Sequence, residues 1–214
     1  MGKCLIMCAG EFSPIAMDRQ EDDFVIAADN GLTYLTRMGV VPDFIIGDYD
    51  SLEEEGRQVL REFEQSRPDC VLRLPVEKDD TDTMAAVRVG LERGYTTFTL
   101  YAALGGRLDH TLANIQTLNF IRAHGAKGYI MDASCMMFVI RDETRNFAPG
   151  FQGSFSLFAL DGKLTGVTLR GMKYEVTDAV ITNDYPIGVS NRIEGDRPAS
   201  VTVEHGSALC YVAW

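Results

Sequence analysis

The feature that most constrains the fold is a change of rhythm part-way along the chain. Up to about Asp132, short apolar runs alternate with helical patterns. The runs are Cys4–Cys8, Phe24–Ala28, Phe44–Ile46, Val71–Leu74, Phe98–Ala103 and Tyr129–Met131. Each is flanked by Gly, Pro, Asp or Asn and lacks strict polar alternation, as strands buried on both faces do. Between them the spacing predicts helices over Asn30–Met38, Glu53–Gln65, Asp82–Arg93 and Asp109–His124, three of them closed by Gly39, Gly94 and Gly125. Ser51-Leu52-Glu53-Glu54 has capping-box spacing, which makes Ser51 the N-cap of the second helix. Strand–helix alternation of this kind predicts an α/β domain with a mostly parallel sheet.

Beyond Asp132 the helical patterns stop. Strand-like runs follow at Cys135–Ile140, Gly153–Leu160, Leu164–Leu169, Ala179–Thr182, Ile187–Ser190 and Ala199–Val203. Turn signals separate or follow them, among them Pro149-Gly150, Asp161-Gly162, Asn183-Asp184 and His205-Gly206. Short strands at regular spacing read as a small all-β sandwich. The expected division is residues 1–132, α/β, and 133–214, all-β, with the boundary in the stretch 132–142.

Composition narrows the partners. Hydrophobic residues make up 46% of the 214, enough for a core, while 31 acidic against 20 basic residues give a formal charge of −11. That sign disfavours nucleic acid or an anionic membrane as a partner. No apolar run approaches a membrane span or a signal h-region, so a cytoplasmic location is expected. Five scattered cysteines, none spaced Cys-x-x-Cys, read as structural thiols.

Eighteen of the acidic residues are Asp, and they crowd loops after predicted strands, where an open parallel sheet has its ligand crevice. In Gly47-Asp48-Tyr49-Asp50-Ser51 an extended chain would point Asp48 and Asp50 to one side, a pair suited to Mg²⁺. Glu77-Lys78-Asp79-Asp80-Thr81-Asp82, at a helix start, carries more negative charge than capping requires. Gly105-Gly106-Arg107-Leu108-Asp109-His110 offers backbone N–H groups and a guanidinium to a phosphate, with Asp109 either an N-cap or catalytic. Asp29, in Ala28-Asp29-Asn30-Gly31, could bond a polar ligand or cap a helix. There is no Gly-x-x-x-x-Gly-Lys-Ser/Thr and no Gly-x-Gly-x-x-Gly. Nucleotide phosphate chemistry of another kind is the reading these clusters support.

In order, the clusters resemble the motifs of the thiamine pyrophosphokinase family. The matching stretches are Asp29-Asn30-Gly31, Pro42-Asp43 through Gly47-Asp48-Tyr49-Asp50-Ser51, and Lys78-Asp79-Asp80-Thr81-Asp82. Gly105-Gly106-Arg107-Leu108-Asp109-His110, Gly171-Met172-Lys173-Tyr174 and Ser190-Asn191 complete them. Asn30 stands where the family pattern has glycine, and Met172 where it has leucine.

The resemblance implies a homodimer of α/β and β-sandwich domains, with active sites between subunits. It implies transfer of the pyrophosphoryl group of ATP to the hydroxyl of thiamine, giving thiamine diphosphate and AMP. Asp48, Asp50 and Asp82 would hold Mg²⁺ against the phosphates, with Asp79 near. Asp29, Asn30, Lys78, Thr81, Arg107, Asp109 and His110 would face ATP. Lys173, Tyr174, Ser190 and Asn191 would face thiamine, and Asp82 or Asp109 would serve as base. The alternatives are another Mg²⁺-dependent phosphotransferase and a non-catalytic nucleotide or thiamine sensor.

Overall fold

The computed structural model describes residues 2–77 and 79–214, and the chain divides into two compact units, Met1–Ala133 and Ser134–Trp214. In the first, strands β1 (Cys4–Met7), β2 (Phe24–Ala28), β3 (Phe44–Gly47), β4 (Val71–Arg73), β5 (Thr97–Tyr101) and β6 (Lys127–Met131) run in the spatial order β6-β5-β1-β2-β3-β4. Every pairing along that path is parallel. Helices α1 (Gly31–Arg37), α2 (Glu54–Ser66), α3 (Asp82–Glu92) and α4 (Leu108–Ala123) fill the crossovers that follow β2, β3, β4 and β5.

Period-two alternation sorts the strand side chains between two helical layers. Leu5, Met7, Val25, Ala27 and Ile45 pack with Leu32 and Leu35 of α1 and Leu60 and Phe63 of α2. On the other face, Gly90 of α3 sits so close to Cys4 and Phe98 that a Cβ there would lie 2.5 Å from the Phe98 ring. β1, β2, β3 and β5 are almost wholly buried, which is why their sequences read as continuous apolar runs rather than alternating ones.

The second unit is all β: β7 (Cys135–Phe147), β8 (Gly153–Ala159), β9 (Lys163–Arg170), β10 (Val176–Thr182), β11 (Asn191–Ile193) and β12 (Ala199–Ala213). β12 is its organising strand. Its first half pairs with β9 and its second half with β8, while β7 accompanies it throughout, all antiparallel. The change of partner falls at the register shift between Val203 and Ser207. Phe155, Leu157, Leu164, Val167, Val201, Val203, Cys210 and Val212 are among the buried apolar residues of these strands.

Two expectations for this unit fail. Residues 187–190 form a turn and bend, and the strand there is β11, three residues long. His205-Gly206 is not a chain reversal but an irregularity inside β12, where the register shifts between Val203 and Ser207. Gly206, at φ +111°, donates its N–H to Asp142 Oδ1 (2.8 Å). A glycine at a bulge and a glycine in a turn leave the same mark on a sequence.

Candidate active site

In the first unit the strand order reverses between β1 and β5, and the crevice of an open α/β sheet lies at the carboxyl ends of the strands beside such a reversal. A cleft of about 530 Å³ occupies that place. It is lined by the chain just beyond β1 (Cys8 to Glu11), β2 (Ala28, Asp29), β3 (Asp48, Asp50, Ser51) and β5 (Ala103, Gly105, Gly106). The starts of α3 (Thr81, Asp82, Thr83) and α4 (Arg107, His110, Asn114) complete it.

Carboxylates dominate one wall. Oxygens of Asp29, Asp48 and Asp50 all lie within 4.8 Å of one another. Asp29 follows β2 in a left-handed conformation (φ +49°), its N–H bonded to the Ile46 carbonyl at 2.8 Å. Burial raises its carboxyl above the ordinary value, and the charges of Asp82 and Asp48 add to the effect. Asp29 Oδ1 is buried with no hydrogen-bond partner among the described residues, while Oδ2 accepts from Ser51 Oγ at 2.5 Å. An oxygen-only donor set with an orphaned buried oxygen fits a hard divalent cation such as Mg²⁺. Asp82 lines the same cleft, but the close group pairs Asp48 and Asp50 with Asp29.

Asp48 and Asp50 meet by a route the extended-chain expectation misses. β3 ends at Gly47, and Tyr49 is left-handed (φ +67°), so the chain turns between the two aspartates. Ser51 is not a helix cap either. α2 begins at Glu54 with Glu53 as its N-cap, and the Ser51 hydroxyl is spent on Asp29. The capping-box spacing is present in the sequence, but the site uses its serine.

The remaining candidates separate clearly. Thr81 caps α3, its Oγ1 accepting from Met84 N at 3.1 Å, and also lines the cleft. Asp79 is exposed and outside the lining, Asp80 pairs with Arg88 at 3.0 Å, and Lys78 lies outside the described residues. Gly105 and Gly106 are both left-handed and open onto α4. Arg107 is the N-cap residue of α4, so Asp109 sits inside the helix. Asp109 holds the guanidinium through Nε at 3.2 Å and Nη2 at 2.6 Å. The Arg107 bond keeps the Asp109 carboxyl below the ordinary value, and Arg107 and His110 rather than Asp109 line the cleft.

Asn30 is right-handed (φ −61°), so its position does not demand glycine. Its Oδ1 accepts from Thr33 Oγ1 at 2.7 Å.

The loop after β1 holds none of the clustered aspartates that mark the other loops, and sequence reasoning passed over it. Gly10 and Glu11 donate their N–H groups to the carbonyls of Ala102 and Leu104, both at 2.8 Å, tying together the loops on either side of the reversal. Gly10, directly after a buried run, is the signal that could have found it. Cys8 and Asn114 belong to the same floor. Burial pushes the Cys8 thiol up to about 12, and Asn114 Nδ2 donates to the Ala103 carbonyl at 2.7 Å.

The late motif lies in the second unit. Asn191, buried, accepts on Oδ1 from the N–H groups of Tyr174 (2.9 Å) and Arg192 (2.8 Å), and its Nδ2 donates to the Tyr174 carbonyl (2.7 Å). It thereby fixes the backbone of Tyr174, whose ring is exposed with Lys173 Nζ 5.3 Å from its centroid. Ser190 is left-handed (φ +63°) and donates its N–H to Ser156 Oγ at 3.2 Å.

A parallel α/β sheet with carboxylates facing a glycine-rich helix entrance across a switch-point cleft defines a class. It is that of α/β proteins equipped to hold a phosphorylated ligand through a divalent cation. Residues 19–130 match the family model for the thiamin pyrophosphokinase catalytic domain, and residues 142–208 the model for its vitamin B1 binding domain. The thiamine pyrophosphokinase of Bacillus subtilis (strain 168) is 30% identical over 176 residues, 78% of this chain and 77% of that protein. The chain belongs to the thiamine pyrophosphokinase family, and is an enzyme. Solved structures agree on the fold. The Bacillus subtilis thiamine pyrophosphokinase matches with a TM-score of 0.86 at 23% identity, covering 99% of this chain and 98% of that one. The yeast enzyme matches with a TM-score of 0.76 at 16% identity, covering 100% and 86%.

Proposed function

We propose that this protein transfers the pyrophosphoryl group of ATP to the hydroxyl of thiamine, giving thiamine diphosphate and AMP, with Mg²⁺ required. The observation that carries the reading is the Asp29–Asp48–Asp50 group facing the Gly105-Gly106-Arg107 turn across one cleft, in a chain of this family. Bound Mg²⁺ would neutralise charge on the phosphate oxygens. Asp48 and Asp50 would hold it, with Asp29 in the same reach and Asp82 beside them.

The chain's own groups supply positioning, which is most of what phosphoryl-type transfer needs. The N–H groups of the left-handed glycines and the Arg107 guanidinium would bind phosphate oxygens, with Asp109 holding the guanidinium in place. Asn30, Thr81 and His110 would border the nucleotide. The thiamine oxygen attacks the β-phosphorus, the bond from that phosphorus to the α,β-bridging oxygen breaks, and AMP leaves with the bridging oxygen. The hydroxyl proton passes to a carboxylate. Asp82 is the better acceptor, because it lines the cleft and Asp109 does not.

Residues 133–214 would carry the thiamine-binding part, with Lys173, Tyr174 and Ser190 presenting to it and Asn191 behind them. A cytoplasmic homodimer belongs to the same proposal. No helix among the described residues is long and apolar enough to cross a membrane. Following ATP consumption with and without thiamine tests the reading. Thiamine-dependent turnover abolished by EDTA is expected. Turnover indifferent to thiamine would point to another acceptor, and binding without turnover to a sensor.

A further inference from the structure

Between the two carboxylates of the Gly-Asp-x-Asp-Ser stretch stands Tyr49, a residue that no part of the reaction uses. Its backbone is left-handed at φ +67°, a region that is sterically costly for a large side chain and persists only when the surroundings enforce it. Here they do. The ring is 3% exposed and packs in the core formed with α1 and α2. Its hydroxyl donates to the Leu72 carbonyl in β4 at 3.0 Å. The Arg73 guanidinium lies 4.7 Å from the ring centroid, and Glu64 of α2 holds Arg73 at 3.0 Å.

Asp50 is exposed and Asp48 half-buried, one on each side of the buried Tyr49. What brings them together is the turn at the residue between them. In that turn Asp50 N–H lies 3.3 Å from Asp48 Oδ1, and both carboxylates join Asp29. Ser51, the next residue, bonds Asp29, so a displacement at Tyr49 would reach three acidic side chains.

Resting on the metal reading above, we propose that Tyr49 is a positioning residue for the cation. It is the buried bolt that holds the turn in which Asp48 and Asp50 converge. It touches neither cation nor substrate, and acts by fixing the one backbone conformation that aims both carboxylates at the same point.

The test is Mn²⁺ binding to the full-length protein, followed by the EPR signal of free Mn²⁺, alongside the Mg²⁺ dependence of turnover. Tyr49→Asn tolerates the left-handed backbone but removes the anchor. It is expected to lower Mn²⁺ affinity at least about tenfold, the range seen when a ligand's support is lost. Tyr49→Phe keeps the ring and the Arg73 contact and is expected to stay within about threefold of wild type. The Mg²⁺ concentration for half-maximal turnover should rise in Tyr49→Asn, with kcat largely recovered at saturating Mg²⁺. A purely structural role would not produce that split. If Tyr49→Asn does not fold, Tyr49→Leu, which keeps an apolar side chain in the core, carries the same expectation. Wild-type Mn²⁺ affinity in a folded Tyr49→Asn or Tyr49→Leu variant overturns the proposal while leaving the metal reading intact. A wild-type protein that binds no Mn²⁺, with or without ATP, overturns both.

Discussion

Asp29 is an acidic side chain in a place that disfavours its charge. It is partly buried, one oxygen has no partner among the described residues, and Asp48, Asp50 and Asp82 lie around it. Like charges so gathered destabilise one another unless a cation joins them. Asp48→Asn and Asp50→Asn should each lower kcat at least about a hundredfold, while a denaturation curve shows the fold unharmed, since each removes repulsion. Near-normal turnover in both would remove the cation assignment.

A pH dependence follows as well. Burial and its acidic neighbours raise the Asp29 carboxyl, so the proton it must lose before binding a cation is held to higher pH than on an ordinary aspartate. Mg²⁺ affinity measured by calorimetry should therefore begin to fall at a higher pH than an ordinary aspartate would impose as the solution is acidified, and Asp29→Asn should flatten that dependence. At this scale the sequence was partly legible. Clustered aspartates after buried strands mark a crevice, but which three converge depends on turns no spacing rule supplies. Asp48 and Asp50 are two apart in either an extended chain or a left-handed turn, and only the buried ring of Tyr49 decides between them.

Elements are positioned by a few close backbone approaches. α1 starts so near the end of β1 that a Cβ on Gly31 would lie 2.0 Å from the Met7 carbonyl oxygen. Backbone cannot give way as a flexible side chain can. Gly31→Ala should cost about 3 kcal/mol or more in urea denaturation. Gly39→Ala is the control. It has φ +68° and open space around it, so only the left-handed penalty of about 1 kcal/mol applies. Equal, small losses at both positions would contradict this account of α1.

Of the glycine pair expected after Asp29, the second is the one the fold needs, and the first position accepts Asn30 at φ −61°. Helices and parallel strands were readable because burial on both faces and glycine stops leave strong marks. Two kinds of element were not. A three-residue strand such as β11 has too little pattern to see, and the bulge in β12 looks like a turn until its pairing with β7 is known.

At the scale of the whole molecule, the fold class could be read because its two halves obey different periodicities. Short apolar runs spaced by helices give way to runs spaced by turns. The activity could not be read the same way. Composition and spacing reach phosphate chemistry and stop, because the residues proposed to face the acceptor, such as Tyr174 and Ser190, follow no spacing rule. Asn191 has a structural task that its motif does not announce: its side-chain bonds go to the backbone of Tyr174 and Arg192.

The central claim is a statement about which bond of ATP breaks, so the most direct measurement is of products. The protein, ATP labelled in the β-phosphate, Mg²⁺ and thiamine are mixed, quenched and separated by chromatography. Pyrophosphoryl transfer predicts label in thiamine diphosphate and one AMP for each thiamine diphosphate formed. Thiamine monophosphate appearing with ADP, or labelled products that form equally well without thiamine, would contradict it.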